Sequence, residues 1–165
     1  MNIEILNNKI HSRESFTCEH QSLTNYIKTQ ASQDVGRNLT RCYVLLDGGN
    51  VVKGCYTLSS NSVDRGEIPD VYQKKVPRHY DVPVILLGRL ARDISMKGKG
   101  CGELLLLDAL YKCRRSSESI GAMAIVVDTI DVNAVNFYSK YGFTLLDSRK
   151  MFLPMNVVPK LFGDV

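Results

Sequence analysis

The segment that constrains this chain most is Leu87-Gly88-Arg89-Leu90-Ala91-Arg92-Asp93-Ile94-Ser95-Met96-Lys97-Gly98-Lys99-Gly100-Cys101-Gly102-Glu103-Leu104-Leu105. An apolar, strand-like stretch over residues 82–90 leads into a basic turn with glycines at 98, 100 and 102. That turn opens directly into a leucine-rich helical pattern. Glycine has no side chain to keep a ligand from the backbone. The first turn of a helix offers N–H groups without intrahelical partners, at the positive end of its dipole. Together these features predict a cradle for a pyrophosphate, with Lys97 and Lys99 adding charge. No Gly-Lys-Ser/Thr closes the turn as in a P-loop. No first strand of a βαβ unit near the chain start precedes it as in a dinucleotide fingerprint. Taken alone, so short a pattern fits a flexible glycine connection at least as well.

Along the rest of the chain, Ile3 and Ile5 predict a short first strand. Residues 18–33 read as a helix with Leu23, Tyr26, Ile27 and Ala31 on one face. Residues 42–46 and 51–58 flank Asp47-Gly48-Gly49-Asn50, a hairpin pattern. A polar connection over 59–80 holds Pro69 and Pro77 and one helical turn around Val71, Tyr72 and Val76. Residues 84–90 read as a strand buried on both faces. A helix follows over 103–115, with Leu104, Leu107, Ala109, Leu110 and Cys113 toward the core and Leu105 and Leu106 widening that face. A strand over 122–127 comes next, then a helix over 131–141 capped by Asp131 and ended by Gly142, and strand pieces over 143–146 and 150–155. This order is that of a mixed α/β (α+β) fold with helices covering a sheet.

With 165 residues the chain is long enough for one domain with a proper core and short for two, so residues 1–165 are expected to form a single domain. Hydrophobic content of 44% against 23% charged residues excludes a disordered chain. No apolar run approaches the ~20 residues of a membrane span, and no signal-peptide layout opens the chain. Five scattered cysteines without a C-x-x-C pair point to reduced thiols, a cytoplasmic setting and no structural metal. The net charge of +4 permits a polyanionic partner without requiring one. Its basic residues fall into groups: Lys74, Lys75 and Arg78; Arg89, Arg92, Lys97 and Lys99; Arg114 and Arg115; Arg149 and Lys150.

The second signal is Asp131-Val132-Asn133-Ala134-Val135-Asn136-Phe137-Tyr138-Ser139-Lys140-Tyr141-Gly142-Phe143. This segment resembles the N-x-x-A-x-x-F-Y-x-x-x-G-F hallmark of the GNAT N-acetyltransferases. Residues 97–102 resemble that family's Arg/Gln-x-x-Gly-x-Gly/Ala pyrophosphate loop, with Lys97 in place of the usual Arg or Gln. Two motifs in the right order, one helix and one strand apart, are far more specific than either alone. Further stretches are similar to one GNAT subgroup: Cys18 with Leu23, Tyr26 and Ile27; Gln30 to Asp34; Arg41 to Leu45; Gly54 to Leu58; Pro83 to Leu90; and Met151 to Met155. That subgroup contains toxins of bacterial toxin–antitoxin modules that acetylate the α-amino group of aminoacyl-tRNA. The likeness spans roughly residues 3–157.

The resemblance implies a GNAT fold: a mixed, mostly antiparallel central sheet splayed at the acetyl-CoA site and flanked by helices. It implies acetyl-CoA as cosubstrate and no metal, aminoacyl-tRNA as acceptor, a ribbon-helix-helix antitoxin as partner, and a homodimer. Carried onto this chain, Leu90, Ala91, Arg92, Lys97, Gly98, Lys99, Gly100, Cys101, Gly102, Asn133, Phe137 and Tyr141 bind the cofactor, and Tyr138 is the catalytic proton donor. A tyrosine, with an ordinary pKa of about 10, is protonated at neutral pH and can protonate a departing thiolate. Its plain alternative is a packed ring with a hydrogen-bonded hydroxyl. Arg92 is equally consistent with a solvated strand-end charge, and Asn133 with a capping role. Cys101 reads as a small packing residue. No His or Glu stands out as a base; an α-amine titrating near ~8 needs one less than a lysine amine does. The basic groups Lys74, Lys75, Arg78, Arg114, Arg115, Arg149 and Lys150 are candidates for tRNA phosphates, or ordinary surface charge. Besides tRNA acetylation, two readings stay open: a GNAT enzyme for a small-molecule, peptide or protein amine, and a non-catalytic acetyl-CoA-binding module.

Overall fold

The computed structural model describes residues 1–147 and 149–163. Its strands are β1 (Asn2–Ile5), β2 (Arg41–Leu46), β3 (Val52–Asp64), β4 (Asp81–Arg92), β5 (Ala124–Asp128), β6 (Thr144–Leu145) and β7 (Lys150–Pro154). Its helices are α1 (Gln21–Asn25), α2 (Ala31–Gly36), α3 (Asp70–Gln73), α4 (Cys101–Ser117) and α5 (Val132–Ser139). The strands form one sheet in the order β1-β2-β3-β4-β5-β7-β6. The β1–β2, β2–β3, β5–β7 and β6–β7 ladders are antiparallel and β4–β5 is parallel, a mixed and mostly antiparallel sheet. The chain divides into two compact units, Met1–Ser59 with Gly88–Ala109 and Ser60–Leu87 with Leu110–Val165.

In the first unit, the hairpin pairs Val44 with Cys55 and Tyr43 with Tyr56, so alternate residues point to opposite faces. Cys42, Val44, Leu46, Cys55 and, from β4, Ala91 face one layer, where they cluster with Phe16, Tyr26, Ile27 and Ala31. Tyr56 faces the other layer, where its hydroxyl donates to Asp108 of α4. Gly54, one residue before Cys55, shows why a side chain is excluded there. A Cβ would lie 2.9 Å from Leu105 Cδ1 and 3.3 Å from the Ala91 carbonyl oxygen.

The helix expected over 18–33 begins at Gln21, runs to Gly36, and widens into a π-helical turn over Tyr26–Gln30. The cause is Arg13. Its guanidinium donates to the Ile27 carbonyl at 3.0 Å and to Ser32 Oγ at 2.8 Å, and the Ala31 N–H donates to Tyr26 O, five residues back. Three other expectations shift as well. Residues 59–64 continue β3 instead of opening the polar connection. In β4, Val82, Val84 and Leu87 are buried while Ile85 and Leu86 are only half-buried, so that strand alternates over part of its length. In α4, Leu105, Leu106, Ala109, Leu110 and Cys113 are buried and Leu104 is 44% exposed. At 100° per residue Leu104 falls roughly opposite the centre of that buried stripe.

Asp93 fixes the end of β4. Its Oδ1 accepts the Thr17 N–H at 2.8 Å, its Oδ2 accepts the Ser95 N–H at 3.0 Å, and its own N–H donates to Lys53 O at 2.8 Å. Burial alone would raise this carboxyl, but the hydrogen bonds from Ser95 and Thr17 hold it below the ordinary aspartate range.

The second unit has its own core of Val63, Ile68, Val82, Val84, Ala124, Val126 and Phe152. Tyr72 of the helical turn α3 packs its ring on Phe152 at 5.6 Å. The β4–β5 ladder pairs Val84 with Ala124 through Leu87 with Val127. Asp131 caps α5 by accepting the Ala134 N–H at 2.8 Å, and Gly142, at φ +93°, ends it as the sequence predicts. No helix of the described residues is long and apolar enough to cross a membrane.

Gly54→Ala should lower stability by about 1–3 kcal/mol, the usual range for overpacking, as read from urea denaturation. Asp93→Asn should cost a similar amount near pH 6, because it weakens charge-assisted hydrogen bonds at a buried site. Since the folded carboxyl lies below its unfolded value of about 4, its contribution is present above that value and lost as pH falls through the folded one. The stability gap between wild type and Asp93→Asn should therefore narrow as titrations are repeated toward about pH 2; a gap constant with pH contradicts this role.

Candidate active site

In the first unit, β4 delivers Leu90, Ala91 and Arg92 to the turn that begins at Asp93. A single 3-10 turn over Ile94–Met96 follows, and the loop reaches α4 through Gly98 at φ +76° and Gly100 at φ +75°. Both are left-handed conformations that a side chain disfavours, and a Cβ at either would meet nothing within 4 Å. The space beside these glycines is open. The first bond of α4 runs from Leu104 N–H to Gly100 O at 3.1 Å, so the N–H groups of Cys101, Gly102 and Glu103 have no intrahelical acceptor. Lys97 and Lys99 are exposed beside them. Cys101 is 3% exposed and packs inward, as the plain reading of it expected. Donors, open space and positive charge thus meet in one loop, which fits a pyrophosphate.

Arg92, left open between phosphate and solvent by the sequence, is 3.1 Å from Glu19 Oε1 in an ion pair. A hydrogen bond from its own backbone N–H and then the Arg92 guanidinium hold the Glu19 carboxyl below its usual range. The sequence assigned no role to Asp93 or Glu19 and placed Tyr26 only on the apolar face of a helix. The Asp93-x-Ser95 spacing was the one local signal available, since an aspartate commonly accepts from the backbone two residues on. Tyr26 and Arg89 meet only through folding: the Arg89 Cζ lies 3.6 Å above the Tyr26 ring centroid.

The second unit carries Asn133, Phe137, Tyr138 and Tyr141 on and just after α5. Tyr138 is 6% exposed. Its ring stands edge-on to Phe137 at 5.2 Å and to Phe143 at 5.3 Å, and Phe137 in turn meets Tyr141 at 5.5 Å. Burial pushes its phenol up from the ordinary value, which keeps the hydroxyl protonated. No protein group hydrogen-bonds that hydroxyl among the described residues. The ring is therefore packed as the plain alternative requires, but its polar end is not tied down as that alternative also requires. Asn133 is exposed in the first turn of α5, and the capping role left open for it belongs to Asp131.

All seven basic candidates for an RNA backbone, Lys74, Lys75, Arg78, Arg114, Arg115, Arg149 and Lys150, fall in this second unit. Lys74, Lys75, Arg78, Arg115 and Arg149 are exposed, and Arg114 and Lys150 half-buried. Lys75 Nζ sits 5.4 Å over the Tyr72 ring. Asp147 Oδ1 accepts the N–H groups of Arg149 and Lys150 at 2.8 and 2.9 Å, fixing the turn that presents them. Among the described residues no group of three or more His, Cys, Asp or Glu is placed to hold a metal ion.

No protein-family model matches the chain. It is 36% identical over 152 residues to a tRNA-acetylating toxin of Mycobacterium tuberculosis, covering 91% of this chain and 90% of that protein. In three dimensions it superposes on a tyrosine-to-phenylalanine variant of KacT with a TM-score of 0.90, at 28% identity and over 98% of both chains. AtaT complexed with acetyl-methionyl-tRNAfMet matches it with a TM-score of 0.89, at 27% identity and again over 98% of both chains. On the strength of that extended likeness to the mycobacterial protein, the chain belongs to the family of tRNA-acetylating toxins.

Proposed function

We propose that this protein transfers the acetyl group of acetyl-CoA to the α-amino group of an aminoacyl-tRNA and so blocks translation. In this reading residues 1–165 act as one catalytic domain in the bacterial cytoplasm, held in check by an antitoxin. The observation that carries the chemistry is the Tyr138 hydroxyl: protonated, carried on a ring that is 6% exposed, and without a protein hydrogen-bond partner among the described residues. Kinship with the mycobacterial toxin and the likeness to AtaT with its acetylated methionyl-tRNA support the acceptor.

The cosubstrate supplies an acetyl thioester. The N–H groups of the 97–102 loop and the first turn of α4, with Lys97 and Lys99, hold its pyrophosphate, and the backbone of Leu90 and Ala91 orients its arm. Asn133, Phe137 and Tyr141 are the further residues proposed for this cosubstrate. Arg92 assists through charge, tempered by its pair with Glu19. Tyr138 holds on its Oη the proton that the departing sulfur needs, and burial keeps that proton in place across the working pH range. The attacking α-amine titrates near ~8 or below, so a neutral fraction exists at neutral pH and its proton can pass to water. Lys74, Lys75, Arg78, Arg114, Arg115, Arg149 and Lys150 are the charges available to RNA phosphates.

Tyr138→Phe should cut acetyl transfer to charged tRNA by about 10²–10⁴-fold while acetyl-CoA affinity stays within about twofold. With labelled acetyl-CoA and total charged tRNA, wild-type rates should rise with pH to about 8 as the amine deprotonates. They should then stay level to at least pH 9, because the raised phenol remains protonated. Absence of label from every charged tRNA, with acetyl-CoA still bound, rejects the acceptor and redirects the search to small amines and protein amino groups.

A further inference from the structure

Arg89 differs from Arg13 and Arg92 of the first unit in that its side chain is left free of hydrogen bonds while stacked on a buried ring. Arg13 is committed to the Ile27 carbonyl and Ser32, and Arg92 to Glu19. The Arg89 side chain has no hydrogen bond or ion pair among the described residues, yet it is held in place. Its guanidinium Cζ lies 3.6 Å over the ring of Tyr26, which is itself only 7% exposed. Tyr26 is fixed in turn: its hydroxyl donates to Asp34 Oδ2 at 3.1 Å, and Gln30 donates to the other oxygen of that carboxylate at 3.0 Å. The Arg13-supported π turn sets the backbone at this position. Below the side chain, the Arg89 N–H donates to Thr57 Oγ1 at 3.1 Å. The residue is exposed, so its planar fork of donors reaches solvent from a rigid base.

We propose that Arg89, laid flat on Tyr26, is a positioning residue that grips a phosphodiester near the single-stranded 3′ end of the acceptor RNA. The inference rests on the tRNA-acetylating reading above and adds to it a specific contact in the first unit. A guanidinium matches a phosphate with two parallel N–H donors, and one already held against an aromatic ring loses little freedom on binding. The layers of the first unit separate this arginine from the cofactor's phosphates. Arg89 and Ala91 alternate onto the face of β4 covered by α1, the π turn and α2. The glycine loop opens α4, which covers the opposite face through Leu105 and Asp108. Single-stranded RNA ends, with phosphates and bases unpaired, are what arginine planes and forks recognise.

The test uses the full chain and a deacylated RNA minihelix ending in a single-stranded CCA, with binding followed by fluorescence anisotropy over a range of KCl concentrations. Arg89→Gln should weaken minihelix binding about tenfold and reduce the slope of log affinity against log salt by about one. Arg89→Lys should keep the slope but recover only part of the affinity, since the ammonium neither stacks nor forks. Tyr26→Phe, which keeps the ring, should bind as wild type does. Acetyl-CoA affinity, measured on each variant, should be unchanged and also reports that the fold is intact. Wild-type-like minihelix binding by Arg89→Gln overturns the proposal, as does a loss confined to acetyl-CoA binding, which would give the phosphate to the cofactor. A wild type that binds the minihelix through Arg89 but labels no charged tRNA would reject the acetyl-transfer reading and leave the contact standing.

Discussion

The first unit depends on the carboxylate of Asp93. One side chain accepts hydrogen bonds from Thr17, ahead of the helical segment, and from Ser95, in the turn below the glycine loop. Its backbone N–H meanwhile closes on Lys53 of β3. A buried carboxylate is costly without partners, so these donors do more than satisfy it: they make the end of β4 the one point where three chain segments must coincide. The loop that follows can then be rich in glycine without being loose. Left-handed turns at Gly98 and Gly100 are hung between a pinned aspartate and a 17-residue helix. Backbone donors aimed from a rigid frame bind an anion at smaller entropic cost than donors that must first be ordered.

The second unit solves a different problem, that of keeping a phenol protonated. Packing does this without a charged neighbour. Phe137 and Phe143 stand edge-on around the Tyr138 ring, and burial raises its affinity for the proton. In the first unit, the guanidinium groups of Arg13, Arg92 and Arg89 follow the opposite principle, since each is defined by what it touches. Arg13 takes a carbonyl freed by the π turn, Arg92 takes a carboxylate, and Arg89 takes an aromatic face.

Much of this was legible in the chain because the signals are local. The Asp131 cap, the Gly142 stop and the Gly-rich hairpin all rest on interactions within a few residues. So does the glycine turn before α4, with its left-handed backbone at Gly98 and Gly100. Errors arose where a distant partner intervened. Arg13 reshaped a helix that periodicity alone read as regular. Which leucines of α4 lie inward depended on what packs against it, and a run of four consecutive leucines gives no phase of its own. Asn133 and Asp131 were rival caps in the sequence, and the choice fell to the residue whose carboxylate lies within reach of the Ala134 N–H.

By itself the sequence determined the alternation of strands and helices and the glycine positions where a left-handed backbone is required, and it singled out Tyr138 as the candidate proton donor. Each of these follows from the conformational freedom or intrinsic acidity of single residues. The tertiary structure decided which charges are engaged and which remain available. Arg92 and Arg89 are three residues apart in one strand, and nothing in the chain near them names their partners, but one is joined to Glu19 and the other rests on Tyr26 with its donors outward. Electrostatic and stacking contacts depend on distances of a few ångströms between segments remote in the chain. Only folding sets those distances.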